Sequence, residues 1–203
     1  MNIFITLAVS GLYTLYTLIL VLVKKSAQKR KKLSGQETTI NPYAKRDSLL
    51  LAVLVGIEVI VLFLYIIRFP LLLRSMLAVP IVLRIAGLII GLSGVSIIGW
   101  ASYTLDGEFS ATIELKESHR LITNGPYRYI RHPIYAGFIL LHIGVTIALA
   151  NWFIVALYNG GLAILLVERI PREERVLHAY FGAAWEQYTH SRGRFLPKLH
   201  KNN

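Results

Sequence analysis

Five apolar runs, each close to the length that crosses a lipid bilayer, constrain this chain more than any other feature. A transmembrane helix needs about 20 apolar residues, each adding about 1.5 Å of rise. The runs cover residues 3–23, 48–67, 80–105, 134–150 and 152–167. The hydrophobic share of 55% is too high for a soluble domain of 203 residues. We therefore predict an all-α, polytopic membrane protein with about five transmembrane helices.

The last two runs predict a tight helical hairpin, because almost nothing separates them in the sequence. Each would form a helix of roughly 25 Å, so the pair either crosses a thinned bilayer or stops short as a re-entrant hairpin. In both cases the start of the fourth run and the end of the fifth run lie on the same side of the membrane. We expect a single membrane domain over 1–203, with a three-helix scaffold in 1–105 and a catalytic half in 106–203.

The basic residues predict the orientation in the membrane. The net charge is +11, and the Lys and Arg residues cluster at the ends of the apolar runs, where they meet membrane lipids rather than nucleic acid. Five crossings place 19 of the 22 on one side. The positive-inside rule then predicts an N-terminus outside, with the loop before residue 134 and the C-terminal tail in the cytoplasm. The membrane would be the plasma membrane in a prokaryote and the endoplasmic reticulum in a eukaryote.

Two features within the apolar runs stand out. The third run is rich in small residues, which predicts close packing against a neighbouring helix. Glu58 lies in the middle of the second run, where an ionisable group faces the bundle interior or a cavity. It is either a structural polar contact or part of a substrate tunnel. The chain has no cysteine, which excludes disulfides and thiolate metal sites.

The segment 125–137, GPYRYIRHPIYAG, is the first half of a candidate site. Pro133 is well placed as the first residue of the fourth helix, which puts Arg131 and His132 at the N-terminus of that helix. Helix N-termini favour anions, and Arg128 and Arg131 add positive charge. The alternative is interfacial anchoring by arginines and an aromatic belt, which suits Tyr127 and Tyr129.

The C-terminal tail supplies the second half. We predict that Pro171 starts a helix over PREERVLHAYFGAAWEQY, which is amphipathic with one apolar stripe. Helical periodicity places Glu173 and Glu174 at the flanks of that stripe, so both side chains face the surface against which the helix packs. Arg169 lies four residues before Glu173 and could pair with it, unless Pro171 breaks the register. The pair of acids is either functional or a structural ion pair.

Together these residues resemble a known family. GPYRYIRHPIYAG, followed after a short hairpin by the Glu173-Glu174 pair, YFGAAWEQY and RFLP, resembles the isoprenylcysteine carboxyl methyltransferase and phospholipid methyltransferase group of integral membrane enzymes. The likeness covers roughly 100–197. Relatives carry RVPRFIP near the end where this chain has SRGRFLP, which leaves open which arginine there serves the site.

The resemblance implies S-adenosyl-L-methionine as methyl donor, bound between the RHPIYAG segment and the helix of the acids, and a lipophilic or prenylated acceptor entering from the bilayer. No metal is expected, because methyl transfer from a sulfonium is an in-line displacement that depends on alignment. The residues predicted to hold the donor are Gly125, Pro126, Tyr127, His132, Pro133, Tyr135, Gly137, Glu173 and Glu174. Those predicted to be catalytic are Arg131, Arg169, Glu173 and Arg194.

Two other activities fit part of the pattern. An amine of a phospholipid could replace the carboxylate of an isoprenylcysteine-like acceptor, in which case His132 or a glutamate would act as base. The RHPIY element alone also resembles NADPH-dependent sterol-type membrane reductases. A non-enzymatic adaptor that binds anionic lipid would explain the charge but not the inward-facing acids.

Overall fold

The computed structural model describes residues 3–34, 44–105 and 120–198, and every element in these ranges is helical. Residues 106–119 of the loop before residue 134 therefore lie outside the described residues. The helices, in chain order, are α1 (Ile3–Ser34), α2 (Ala44–Ile66), α3 (Pro70–Arg74), α4 (Ile81–Leu105), α5 (Pro133–Leu149), α6 (Trp152–Phe181) and α7 (Ala183–Ser191), with a 3₁₀ turn at Gly125–Arg128 before α5.

All five apolar runs are helices, which confirms the predicted membrane fold. By length and composition, four of the described helices can cross a bilayer: α1 over Ile3–Val23, α2 over Leu49–Ile66, α4 and α6. The fifth, α5, is shorter, with 17 residues. The chain is thus an integral membrane protein. Its core lies between α1, α4, α5 and α6, around side chains such as Val9, Ile98, Leu141 and Ile154.

Small residues bring α4 and α5 into close contact, as the third run predicts. A Cβ atom added to Gly94 would lie 2.6 Å from the Gly137 carbonyl oxygen and 2.6 Å from the Leu141 nitrogen. A Cβ atom added to Gly87 would lie 2.7 Å from the Gly144 carbonyl oxygen. These are backbone atoms that cannot move aside, so the glycines set the distance between the two helices. That distance holds the start of α5 in place.

We expect Gly94→Ala to destabilise the bundle by about 1 to 3 kcal/mol, because the added methyl group overpacks the interface between α4 and α5. The matched control is Gly56→Ala on α2, where a Cβ atom would meet nothing within 4 Å. Thermal unfolding of both variants in the same detergent measures the difference. Equal unfolding temperatures for the two variants would contradict the assigned packing.

The hairpin between α5 and α6 turns within two residues. Ala150 adopts a left-handed conformation with a φ of 52°. Asn151 then caps α6, since its side-chain oxygen accepts hydrogen bonds from the amides of Phe153 and Ile154, both at 3.1 Å. Its side-chain amide donates to the Leu72 carbonyl at 2.7 Å, which ties α3 to the turn. The start of α5 and the far end of α6 consequently lie together, as predicted.

The predicted helix start at Pro171 is wrong, because α6 runs through this proline from Trp152 to Phe181. A proline inside a helix removes one hydrogen bond, here to the Val167 carbonyl, at a cost of about 3 kcal/mol. Buried packing of Arg169 and Ile170 before the proline helps to offset this cost. With 30 residues, α6 is roughly 45 Å long, which exceeds a hydrocarbon core of about 30 Å. One continuous helix thus carries Glu173 and Glu174 beyond its apolar part.

The predicted single helix over the tail is also wrong. Gly182 has a φ of 52° and a ψ of −124°, which a residue with a side chain rarely adopts, and it separates α6 from α7. The predicted apolar stripe is accordingly divided. Trp185 and Tyr188 on α7 are buried, whereas Tyr180 at the end of α6 is 40% exposed.

Candidate active site

The site begins at the turn that precedes α5. Gly125 has a φ of 53°, and a Cβ atom there would lie 2.7 Å from the Thr104 hydroxyl oxygen, so the turn requires glycine. The next residues, Pro126 and Tyr127, are buried in the 3₁₀ turn. The Tyr188 hydroxyl of α7 donates to the Tyr127 carbonyl at 2.7 Å. Helix α7 thereby holds the turn in position.

The C-terminal segment pairs with the backbone just before α5. The Arg131 amide donates to the Gly193 carbonyl at 2.8 Å, and the His132 amide donates to the Arg194 carbonyl at 3.0 Å. The Phe195 ring lies 6.3 Å from the His132 ring, measured between centroids. This pairing brings the end of the described chain to the N-terminus of α5.

Glu174 joins three donors from two segments of the chain. Arg194 donates to both of its oxygens, from Nε at 3.1 Å and from Nη2 at 2.6 Å. Arg131 Nη2 lies 3.2 Å and His132 Nε2 lies 3.1 Å from Glu174 Oε1. A carboxylate that pairs with two guanidinium groups is ionised and only accepts, so the Nε2 atom of His132 carries a proton. We call this group, Arg131, His132, Glu174 and Arg194, the clasp.

A second chain of contacts runs beside the clasp. The Tyr135 hydroxyl donates to Glu173 Oε2, and the Arg169 Nε atom donates to the Tyr135 hydroxyl oxygen at 2.7 Å. The Nδ1 atom of His132 lies 4.0 Å from Glu173 Oε1. Arg169 and Tyr135 are buried, whereas the Glu173 side chain is 27% exposed. Glu173 is therefore the accessible end of this series of hydrogen bonds, and Arg169 is its buried end.

Burial and charge fix the protonation states around the site. The hydrogen bonds to Glu174 raise the pKa of the Arg194 guanidinium, which stays charged. Burial raises the pKa of the Tyr188 hydroxyl to about 12, although the charges of Arg192 and Arg131 lower it. Burial, with the charge of Glu173, raises the pKa of Tyr127 well above its ordinary value. Both phenols are therefore neutral near pH 7.

The structure brings together the following predicted site residues: Arg131, His132, Tyr135, Arg169, Glu173, Glu174 and Arg194. The predicted inward orientation of the two acids is confirmed, because Glu173 meets Tyr135 and Glu174 meets His132. The turn residues Gly125, Pro126 and Tyr127 position α5, and Pro133 is its first residue. Gly137 instead lies against Gly94 and Ile98 of α4, where it serves helix packing.

The structure places one of the two tail arginines on Glu174 and adds residues that the sequence did not single out. Arg194 pairs with Glu174, whereas Arg192 donates to the neighbouring Ser191 carbonyl at 3.1 Å. The Phe195 ring against His132 and the Tyr188 hydroxyl on the turn were not predicted as site residues. Both residues lie in the tail segments YFGAAWEQY and RFLP, and the family likeness of these segments was the signal that could have identified them.

The arrangement is suited to binding an anion beside a group with hydroxyls or an amine. His132 is the N-cap of α5, yet its side chain makes no capping hydrogen bond to the first-turn amides. The contacts around the start of α5 involve the side chains of three arginines and two glutamates, Arg131, Arg169, Arg194, Glu173 and Glu174, which leaves one positive charge in excess. The Nε atom of Arg131 is buried and has no hydrogen-bond partner among the described residues. A carboxylate thus fits at the helix N-terminus, and the exposed Glu173 carboxylate can accept hydrogen bonds.

Comparison with known proteins gives a consistent family likeness. The model of the isoprenylcysteine carboxyl methyltransferase (ICMT) family matches residues 85–179, a range that includes Arg131 to Glu174. A probable protein-S-isoprenylcysteine O-methyltransferase of Oryza sativa subsp. indica is 33% identical over 113 residues, which cover 55% of this chain and 59% of that protein. The protein-S-isoprenylcysteine O-methyltransferase of Schizosaccharomyces pombe is 38% identical over 72 residues, which cover 36% of this chain and 30% of that protein.

A solved structure has the same fold. The eukaryotic intramembrane Ras methyltransferase ICMT aligns with a TM-score of 0.58 and 21% identity over 94% of this chain and 67% of that protein. The resemblance predicted from the sequence is thus confirmed. The matches span less than two thirds of the length of the relatives from rice and fission yeast.

Proposed function

We propose that this protein is an S-adenosylmethionine-dependent methyltransferase that esterifies the carboxylate of an isoprenylcysteine-like, membrane-borne acceptor. The observation that carries the proposal is the meeting of the α5 N-terminus with Glu173 and Glu174 of α6. The family likeness supports it, because the matched region includes the start of α5 and both glutamates. The relatives described above are methyltransferases, so the reductase alternative has no support from them.

The residues present fit the methyl donor. Its carboxylate suits the first-turn amides of α5 with Arg131, and its ribose hydroxyls or amino group suit Glu173. When bound, S-adenosylmethionine supplies a methyl group on a positively charged sulfonium. The Tyr135 ring, near the start of α5, offers an aromatic face for a cation. Glu174 is engaged by Arg131, His132 and Arg194, so its role is to hold the clasp rather than to contact the donor.

The acceptor is held by charge and by the bilayer. Arg169 places a buried positive charge beside Tyr135, which favours a carboxylate acceptor over an amine. A carboxylate is already deprotonated at neutral pH, so the reaction needs alignment and no general base. With the donor bound, Arg169 would hold this carboxylate in line with the methyl group, and the sulfonium sulfur would leave with the bonding electrons. The apolar helices give a lipid-anchored acceptor access from the side, on the face that the positive-inside rule assigns to the cytoplasm.

Calorimetry of the purified full chain in detergent tests the donor site. We expect S-adenosylhomocysteine, the demethylated donor, to bind with a measurable enthalpy and NADPH to give none. Binding of NADPH without S-adenosylhomocysteine would exclude the methyltransferase and support a reductase. Binding of neither would support the non-enzymatic adaptor.

A matched pair of acceptors tests the proposed substrate class. Incubation with the donor and a short isoprenylcysteine that has a free carboxylate should add one methyl group, detected by mass spectrometry. The corresponding carboxamide is the control and should gain nothing, because its amide nitrogen is a poor nucleophile. Methylation of phosphatidylethanolamine and not of the free acid would instead identify the amine-directed alternative.

A further inference from the structure

The two halves of α2 are held in the bundle to different degrees. In the far half, residues 58–66, the Val61 and Tyr65 side chains are buried in the core, and the Tyr65 hydroxyl donates to the Leu149 carbonyl at 3.1 Å. In the near half, residues 46–57, no side chain from 49 to 57 is buried. Because packing between side chains holds membrane helices together, the near half is bound to the bundle more weakly than the far half.

Glu58 lies at the boundary between the two halves and is tied to three other helices. The His142 Nε2 atom of α5 lies 2.9 Å from Glu58 Oε1. The Tyr158 hydroxyl of α6 donates to the Glu58 backbone carbonyl at 2.6 Å, and Tyr13 of α1 interacts with the Glu58 carboxyl group. We call these four residues the α2 anchor. Glu58 therefore makes structural polar contacts, one of the two roles that the sequence left open, and they fix this point of α2.

The near half contacts the bundle beside the candidate active site. Leu51 and Leu54 pack against an apolar cluster that contains the Tyr135 ring. The other members of this cluster are Leu162, Leu165, Leu166 and Ile170 of α6. Arg46 Nη2 lies 3.1 Å from Glu168 Oε2, but both side chains are largely exposed, at 60% and 47%. An exposed ion pair contributes little to stability, so two partly buried leucines provide most of the attachment.

Gly56 provides a place where α2 can bend. It lies inside the helix, two residues before Glu58, and a Cβ atom there would meet nothing within 4 Å. Close packing therefore does not require glycine at this position. Glycine in the interior of a helix leaves the backbone more freedom and weakens the helix locally. The near half can thus tilt at Gly56 while the α2 anchor and the far half stay in place.

We propose that the near half of α2 is a gate between the bilayer and the apolar side of the candidate active site, with its pivot at the α2 anchor. When the gate tilts outward, Leu51 and Leu54 leave the cluster and open a path from the lipid to the Tyr135 ring. The Tyr135 hydroxyl contacts Arg169 and Glu173, so this path leads to the polar part of the site. That the gate admits the apolar chain of an acceptor rests on the proposed function, whereas its motion does not.

Distances between spin labels test the motion independently of any activity. The chain has no cysteine, so the labels attach only to introduced cysteines. One pair, Val53→Cys with Tyr103→Cys, joins the near half to α4. The matched pair, Phe63→Cys with Val82→Cys, joins the far half to the other end of α4, and all four native side chains are exposed. In lipid nanodiscs we expect a distance distribution at least twofold broader for the near pair. Equal widths, or a broader far pair, would overturn the proposal.

A reversible lock tests the role of the gate. A Cβ atom added to Gly161 of α6 would lie 3.0 Å from the Leu54 Cδ2 atom, so cysteines at these two positions can form a disulfide that ties the near half to α6. We expect this disulfide to slow methylation of a long-chain isoprenylcysteine at least tenfold, and thiol reduction to restore the rate. The affinity for S-adenosylhomocysteine should not change, because neither residue belongs to the candidate site.

The control lock is Ile19→Cys with Gly99→Cys, which ties α1 to α4 away from the gate. A Cβ atom added to Gly99 would lie 3.6 Å from the Ile19 Cδ1 atom. This lock should change neither the rate nor the affinity. Full methylation by the locked Leu54–Gly161 protein, or equal slowing by the control lock, would overturn the role of the gate. If the unmodified chain methylates no acceptor, the proposed function fails instead, and the spin-label distances still decide whether the near half moves.

Discussion

Glu173→Gln should weaken the binding of S-adenosylhomocysteine by about 10- to 150-fold, the range for losing a hydrogen bond to a charged group. Glu173 is the acid of the pair that combines partial exposure with contacts to Tyr135 and His132. The glutamine keeps the shape of the side chain, but it replaces an oxygen that accepts hydrogen bonds with a group that donates them. Calorimetry measures the affinity, and the initial rate of methyl transfer should fall in parallel.

The control for Glu173→Gln is Glu186→Gln on α7. Glu186 is an exposed glutamate that contacts His178 at 2.9 Å, outside the site. We expect wild-type affinity and rate in this variant. A folded Glu173→Gln protein with wild-type affinity would remove Glu173 from the donor site, while binding of S-adenosylhomocysteine by the unmodified chain would still stand.

Glu174→Gln should release the C-terminal segment from the start of α5. The clasp loses the negative charge of its carboxylate, and Arg131, His132 and Arg194 then contact a neutral amide instead. We expect tryptic cleavage after Arg194 to become about tenfold faster, because proteolysis follows the opening equilibrium and a charged hydrogen bond contributes about 1.5 to 3 kcal/mol. Intact-mass spectrometry over a time course measures the loss of the terminal fragment.

The same variant should bind S-adenosylhomocysteine more weakly, because Arg131 and His132 lose the group that orients them. Glu186→Gln again serves as control and should be cleaved at the wild-type rate. An unchanged cleavage rate after Arg194 in Glu174→Gln would show that the backbone pairing of Arg131 with Gly193 and of His132 with Arg194 is sufficient to hold the segment.

The sequence predicted those parts of the fold that depend on local properties. The apolar runs gave the helices, since length and apolarity decide whether a segment can cross a bilayer. Pro133 gave the start of α5, and helical periodicity gave the inward orientation of Glu173 and Glu174. Local rules were wrong where packing outweighed them, as at Pro171, or where a backbone break interrupted the period, as at Gly182.

The partners of the site residues required the tertiary structure. Glu174 meets Arg194 twenty residues later and His132 forty-two residues earlier, and Glu58 meets His142 eighty-four residues later. No local pattern encodes such pairs, because they depend on the close approach of α4 and α5, the two-residue turn before α6 and the return of the tail through Gly182. The sequence alone determined a helical membrane protein with two polar segments of matching chemistry. Only the tertiary structure decided that Glu174 holds the clasp and that Glu173 remains accessible, because contact between distant residues is set by packing.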